Sequence, residues 1–140
     1  MIRLFQITRK ENYLSLITLI VRLTIAALMI GHGLPKLNTL LAGGVIEFPD
    51  PLGVGSTFSL GLAVFAEIIC SFLLAIGLAT RLASIPLIVT MLIAVFVVHA
   101  ADAIDVKEMG ILYLLIYLFL LAAGSGKFSI DNLISKKDRY

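Results

Sequence analysis

Four long apolar runs, separated by clusters of charge, glycine and proline, organise the chain. They extend over about residues 12–34, 57–80, 82–101 and 109–126. Each approaches the roughly 20 residues that cross about 30 Å of hydrocarbon at about 1.5 Å per residue. Backbone amides in hydrocarbon must find their partners within their own segment, so runs of this kind form helices. The pattern predicts an all-α, polytopic membrane protein: an up-down bundle of four transmembrane helices over residues 12–126. A basic segment over residues 1–11, able to lie along the membrane interface, precedes it, and a basic tail over residues 127–140 follows. The first run reads as a retained span, because it is long, carries Arg22 and has no small-x-small cleavage motif after it.

The connections are uneven. Helices two and three are separated by a residue or two at Thr80-Arg81, which makes them antiparallel neighbours. Pro86 is expected in the first turn of helix three, where its missing N–H does no harm, with Ser84 or Thr80 as the cap. Gly124 and Gly126 are expected to end helix four. The link from Pro35 to Ser56 contains Gly43-Gly44 and Phe48-Pro49-Asp50-Pro51 and is longer than the usual connection. Loops of that length often line or cover a site, and an ordinary ordered loop is the competing reading.

Composition sharpens this picture. Hydrophobic residues make up 60% of the 140 residues and charged ones 14%, against about 25% charged in a soluble domain. That balance excludes a disordered tail, a nucleic-acid binder and a small water-soluble enzyme. Of the eleven Lys and Arg residues, eight fall on the side of the two termini, and only Lys36 and Lys107 on the other. The positive-inside rule then places both termini in the cytoplasm, N-in and C-in. The lone Cys70 excludes dithiol exchange within one chain, which needs an attacking and a resolving thiol. Redox work would need a bound cofactor or a partner protein.

The polar residues inside the apolar layer are the informative ones, since a charge at a helix centre costs about 2.5–3.5 kcal/mol on insertion scales. Arg22 and Glu67 each lie about ten residues below the expected outer end of their helices. Equal depth on neighbouring helices predicts a buried Arg22–Glu67 pair. At 100° per residue Ser15, Arg22, Met29 and Lys36 form one stripe of helix one, expected to face the interior. The pair reads either as a clamp fixing helix register or as the lining of a polar cavity in which Glu67 exchanges protons.

One layer outward, His32 and His99 close two helices that run the same way. With Lys36 nearby they are candidates to hydrogen-bond a quinone carbonyl or carry its protons, and wet interfacial histidines are the competing reading. Tyr113 and Tyr117, at i and i+4, share a face and are candidate ligand donors or simply core hydroxyls. No third ligand accompanies the histidines, so no metal site is assigned. The run Gly124-Ser125-Gly126-Lys127 lacks the spacing of a phosphate loop and follows a membrane helix rather than a strand.

These residues carry a resemblance. Arg22-Leu23 and Gly31-His32-Gly33-Leu34-Pro35-Lys36-Leu37 resemble the first-helix signature of the DoxX family. The likeness continues through Asp50-Pro51-Leu52-Gly53, Glu67, Gly77-Leu78-Ala79-Thr80-Arg81, His99 and Gly124-Ser125-Gly126-Lys127-Phe128-Ser129-Ile130-Asp131. The resemblance implies a four-helix inner-membrane protein. Family members are linked to quinol oxidase and thiosulfate:quinone oxidoreductase, and a mycobacterial relative to a membrane oxidoreductase complex. Distant relatives are thought to be receptor-assembly chaperones. The resemblance supplies no catalytic residue set. The expectation is therefore a quinone-associated subunit of a membrane redox or oxidative-stress complex. Its expected partners are the bilayer, proteins of that complex and further copies of itself. The alternatives are a non-catalytic assembly or scaffold protein, or a small proton or solute conduit.

Overall fold

The computed structural model describes residues 11–137, and all regular structure among them is helical. The expected interfacial segment over residues 1–11 falls almost wholly outside the described residues. Helix α1 spans Glu11–Ala42, α2 Ser56–Ile76, α3 Thr80–Val98 and α4 Ile104–Ala123. A short α5, Ile130–Lys137, follows. The first four are long and apolar enough to cross a membrane. Two ends result. The loop end carries residues 43–55 and 99–103. The tail end carries the start of α1, the turn at 77–79, residues 124–129 and α5.

Large side chains such as Leu23, Phe72, Phe96 and Leu115 point outward, while Ile25, Met29, Leu74, Leu87, Tyr117 and Leu120 fill the interior. Against lipid there is little hydrophobic gain in turning an apolar face inward, so close backbone approach must hold the helices together. Gly33 supplies one such approach. A Cβ there would lie 2.7 Å from Ile68 Cγ1 and 3.0 Å from Glu67 Cβ, so α1 and α2 touch at a level that a larger residue would pry apart. Gly110 does the same for α4, where a Cβ would meet Val95 Cγ2 at 2.7 Å.

Several boundaries differ from the sequence pattern. α1 continues eight residues past Leu34, with Pro35 inside it. Proline costs a helix one N–H, and here Thr39 Oγ1 donates to the Pro35 carbonyl at 3.1 Å. α3 begins at Thr80, so Pro86 sits in its second turn rather than its first, and Thr90 Oγ1 donates to the Pro86 carbonyl at 2.9 Å. Neither Ser84 nor Thr80 caps α3 with its side chain. Ser84 Oγ instead donates back to the Thr80 carbonyl at 2.8 Å. α4 begins at Ile104, five residues earlier than expected, with Asp105 in its first turn, where a negative charge suits the helix N-terminus. Two stretches, Phe65–Cys70 in α2 and Ala94–Val98 in α3, are wound as π-helix. Such turns recur at functional sites because the wider winding re-aims side chains.

Candidate functional site

The polar stripe of α1 faces inward as its spacing requires: Ser15, Arg22 and Met29 are buried and Lys36 is half-buried. Arg22 and Glu67 are 1% and 2% exposed, so both charges are inside the protein. They are not partners. Arg22 reaches the tail end, where Nη1 donates to the Ser125 carbonyl and Nη2 to the carbonyls of Ala75 (3.2 Å) and Phe128 (3.0 Å). Glu67 Oε1 is paired with Lys36 Nζ. The expected Arg22–Glu67 pair is therefore replaced by two separate arrangements. With α1 ending at Ala42, Arg22 sits about 12 Å deeper than a helix ending at Leu34 would put it.

The tail-end arrangement ties separate segments of the chain together. A guanidinium offers five donors in a fixed fork, and here it gathers carbonyls from the end of α2 and from the segment after α4. Gly77 adopts φ 71°, and a Cβ there would lie 2.7 Å from Arg22 Nη1. The adjoining turn is secured by Asp131, whose carboxylate accepts from the backbone N–H of Ala79 (2.7 Å) and Thr80 (3.2 Å). Asp131 thus supplies the N-terminal cap of α3 from a residue 51 positions later in the chain.

The loop-end arrangement faces a cavity of about 840 Å³ between the helices. Its wall is mostly apolar, with Lys36, Glu67, His32, His99 and Tyr113 among its polar members. Glu67 stands in the π-helical turn of α2, opposite Gly33. Its Oε2 is buried without a hydrogen-bond partner among the described residues. An acceptor left so in low dielectric is costly unless something polar meets it. The His32 ring meets Tyr113 edge-on at 5.9 Å, and Tyr113 stacks on Tyr117 at 6.4 Å. Tyr117 is fully buried behind this wall and does not line the cavity. His99 Nδ1 lies 2.7 Å from Asp102 Oδ2. The cavity thus brings together four of the five candidate ligand-binding residues and adds Glu67, while Arg22 belongs elsewhere.

The loop over 43–55 closes one side through Phe48, Pro49, Pro51 and Leu52, with the Phe48 ring 6.0 Å from Lys36 Nζ. Its latch is Asp50. The carboxylate accepts from Val54 N–H (3.0 Å), Gly55 N–H (2.8 Å) and Ser59 Oγ (2.7 Å). These bonds, the Ser59 hydroxyl foremost, hold its pKa below the ordinary carboxylate value. Sequence reasoning flagged this loop by its length but not its latch. The signal was Asp50-Pro51-Leu52-Gly53, since aspartate ahead of a Pro–Gly turn characteristically takes up the following backbone N–H groups.

The profile of the DoxX family matches residues 17–100. An uncharacterized protein of Haemophilus influenzae is 31% identical over 137 residues, covering 91% of this chain and 97% of that protein. A second from the same organism is 30% identical over 95 residues, covering 64% of this chain and 63% of its own. An uncharacterized membrane protein of Mycobacterium tuberculosis is 26% identical over 140 residues, covering 84% and 80%. No solved structure matches.

Proposed function

Because the chain belongs to the DoxX family and forms a four-span membrane protein, we propose that it is a quinone-binding subunit of a membrane redox or oxidative-stress complex. We place it in a bacterial inner membrane with both termini in the cytoplasm. The observation that carries this reading is the buried Glu67 carboxylate, one oxygen on Lys36 and the other unpartnered, at the wall of an apolar cavity of about 840 Å³. Small-molecule sites are typically about 300–1,000 Å³, apolar, with a few convergent polar groups. Lys36 Nζ and the His32 and His99 imidazoles are donors suited to the carbonyl oxygens of a quinone head, and Glu67 Oε2 is an acceptor suited to a quinol hydroxyl. A bound quinone takes up two electrons and two protons on reduction, and the electrons come from a partner redox protein. The Lys36–Glu67 pair, with the Lys36 side chain 32% exposed, would relay those two protons between bulk water and the ring, and the Phe48–Leu52 loop closes one side of the cavity.

The test is mass spectrometry of protein extracted with its native lipids, followed by titration with a short-chain ubiquinone or menaquinone analogue. Saturable binding is expected, weakened about tenfold by E67Q or K36M, a loss of about 1.4 kcal/mol. L115A, on the lipid face, should bind as the wild type does. Protein that neither retains nor binds a quinone overturns the reading. If it also purifies with stoichiometric partner proteins, it is an assembly protein instead.

A further inference from the structure

The tail after α4 does not hang free of the bundle. Asp131 N–H donates to the Gly77 carbonyl at 3.0 Å and the Asp131 carboxylate caps α3. Asn132 Nδ2 donates to the Lys127 carbonyl at 2.8 Å, and Ser129 Oγ to that of Gly126 at 2.7 Å. α5 is therefore pinned beside Ile76, Thr80 and Ala123, where three spans end. Its pinned end lies at the edge of the hydrocarbon.

At 100° per residue Ile130, Leu133 and Ile134 share an arc about 100° wide on α5. The protein leaves that arc uncovered: Leu133 is 67% exposed, Ile134 50%, and Phe128, just before the helix, 50%. The charges are one-sided. The only acid over residues 127–137 is Asp131, whose carboxylate caps α3, and against it stand Lys127, Lys136 and Lys137, so the segment keeps a net positive charge. An apolar arc with Lys136 at its margin, in a segment of net positive charge fixed at the end of the spans, has the composition of a helix that lies in a membrane interface and prefers anionic lipid.

We infer that α5 is an interfacial helix that docks on anionic phospholipid, with Phe128, Leu133 and Ile134 in the acyl boundary and the lysine charge at headgroup phosphates. The helix then does two jobs. One face caps α3 and closes the tail end, and the other ties that closure to the lipid surface. The inference does not rest on the quinone reading.

The chain has no tryptophan, so L133W introduces a single reporter at an exposed position, and I134W provides a second should the first fail to fold. The variant is reconstituted into vesicles of phosphatidylcholine, alone or mixed with phosphatidylglycerol, either lipid being brominated on its acyl chains. Emission blue-shifted from that of tryptophan in water is expected, with quenching at least twofold stronger by brominated phosphatidylglycerol than by brominated phosphatidylcholine at equal fraction. K136Q/K137Q should abolish that difference and keep the blue shift. Water-like emission unmoved by either lipid overturns the proposal. Equal quenching by both lipids overturns its anionic preference. Blue-shifted emission that neither lipid quenches would mean that protein, from this chain or a second copy, covers the face, and overturns it too.

Discussion

A double-mutant cycle on Arg22, Lys36 and Glu67 decides between one central ion pair and two separate arrangements. Gly33, on α1, packs against Glu67, whereas the Arg22 guanidinium packs against Gly77, ten residues further on, just past the end of α2. At about 1.5 Å per residue the two charges are roughly 15 Å apart. With an effective dielectric of about 20, bare charges at that distance interact by about 1 kcal/mol. Each is also compensated locally, Glu67 by Lys36 and Arg22 by three carbonyls, so the coupling should fall below about 0.5 kcal/mol, as is usual for sites without shared partners. Lys36 and Glu67 are in contact and should couple by about 1–3 kcal/mol. R22Q alone should cost about 1–3 kcal/mol, because it leaves the carbonyls of Ser125, Ala75 and Phe128 short of donors. The assay is reversible unfolding in mixed micelles with increasing dodecyl sulfate, read by circular dichroism, for the three single variants and the pairs R22Q/E67Q and K36Q/E67Q. Coupling of 1 kcal/mol or more between Arg22 and Glu67, or rescue of R22E by E67R, would refute the separation.

Three other outcomes are expected. G33A should destabilise by about 1–3 kcal/mol through overpacking against Ile68 and Glu67, while G31A, with nothing within 4 Å of its Cβ, should be neutral or stabilising by up to about 1 kcal/mol; the same unfolding assay compares them. Ala79 holds φ 49°, so A79G should raise stability by up to about 1 kcal/mol, whereas G77A, strained at φ 71° and 2.6 Å from Ser129 Cβ, should lower both stability and melting temperature. The Asp50 latch has a depressed pKa, so its contribution is complete above the ordinary aspartate pKa and is lost as pH falls through the lower folded value; the Val54 and Gly55 amide NMR shifts should titrate together with a midpoint below that of an unstructured aspartate, and be displaced at neutral pH in D50N.

The spans were legible because a membrane imposes length and apolarity on every crossing segment, and the inward stripe of α1 was legible because helical spacing fixes which residues share a face. The end of α1 was not. A Gly-x-Gly-Leu-Pro sequence reads as a helix stop, but a proline removes one N–H only, and α1 runs on through it. That eight-residue difference moved Arg22 away from Glu67 and brought Lys36 to it. His32, Lys36, His99 and Tyr113 were recognisable because polar side chains near the ends of apolar runs are few. Tyr117 was not separable from Tyr113 by spacing, since facing inward does not distinguish a cavity wall from the core behind it. The partners of Arg22 are backbone carbonyls, which side-chain chemistry does not advertise. The π-helical turn that presents Glu67 likewise leaves no mark in residue type.

The Arg22 anchorage has a consequence for biogenesis. Its Ser125 acceptor is encoded 103 residues later, which at roughly 5–20 residues per second is about 5–20 s of translation. During that interval the first span sits in the bilayer with an uncompensated cation, and a long basic side chain relieves this by stretching toward the nearer headgroups. Completion of the last segment then draws the guanidinium inward and locks the bundle. A chain that stops before Ser125 would keep the Ala75 acceptor but lack the Ser125 and Phe128 carbonyls, and so leave the tail end open.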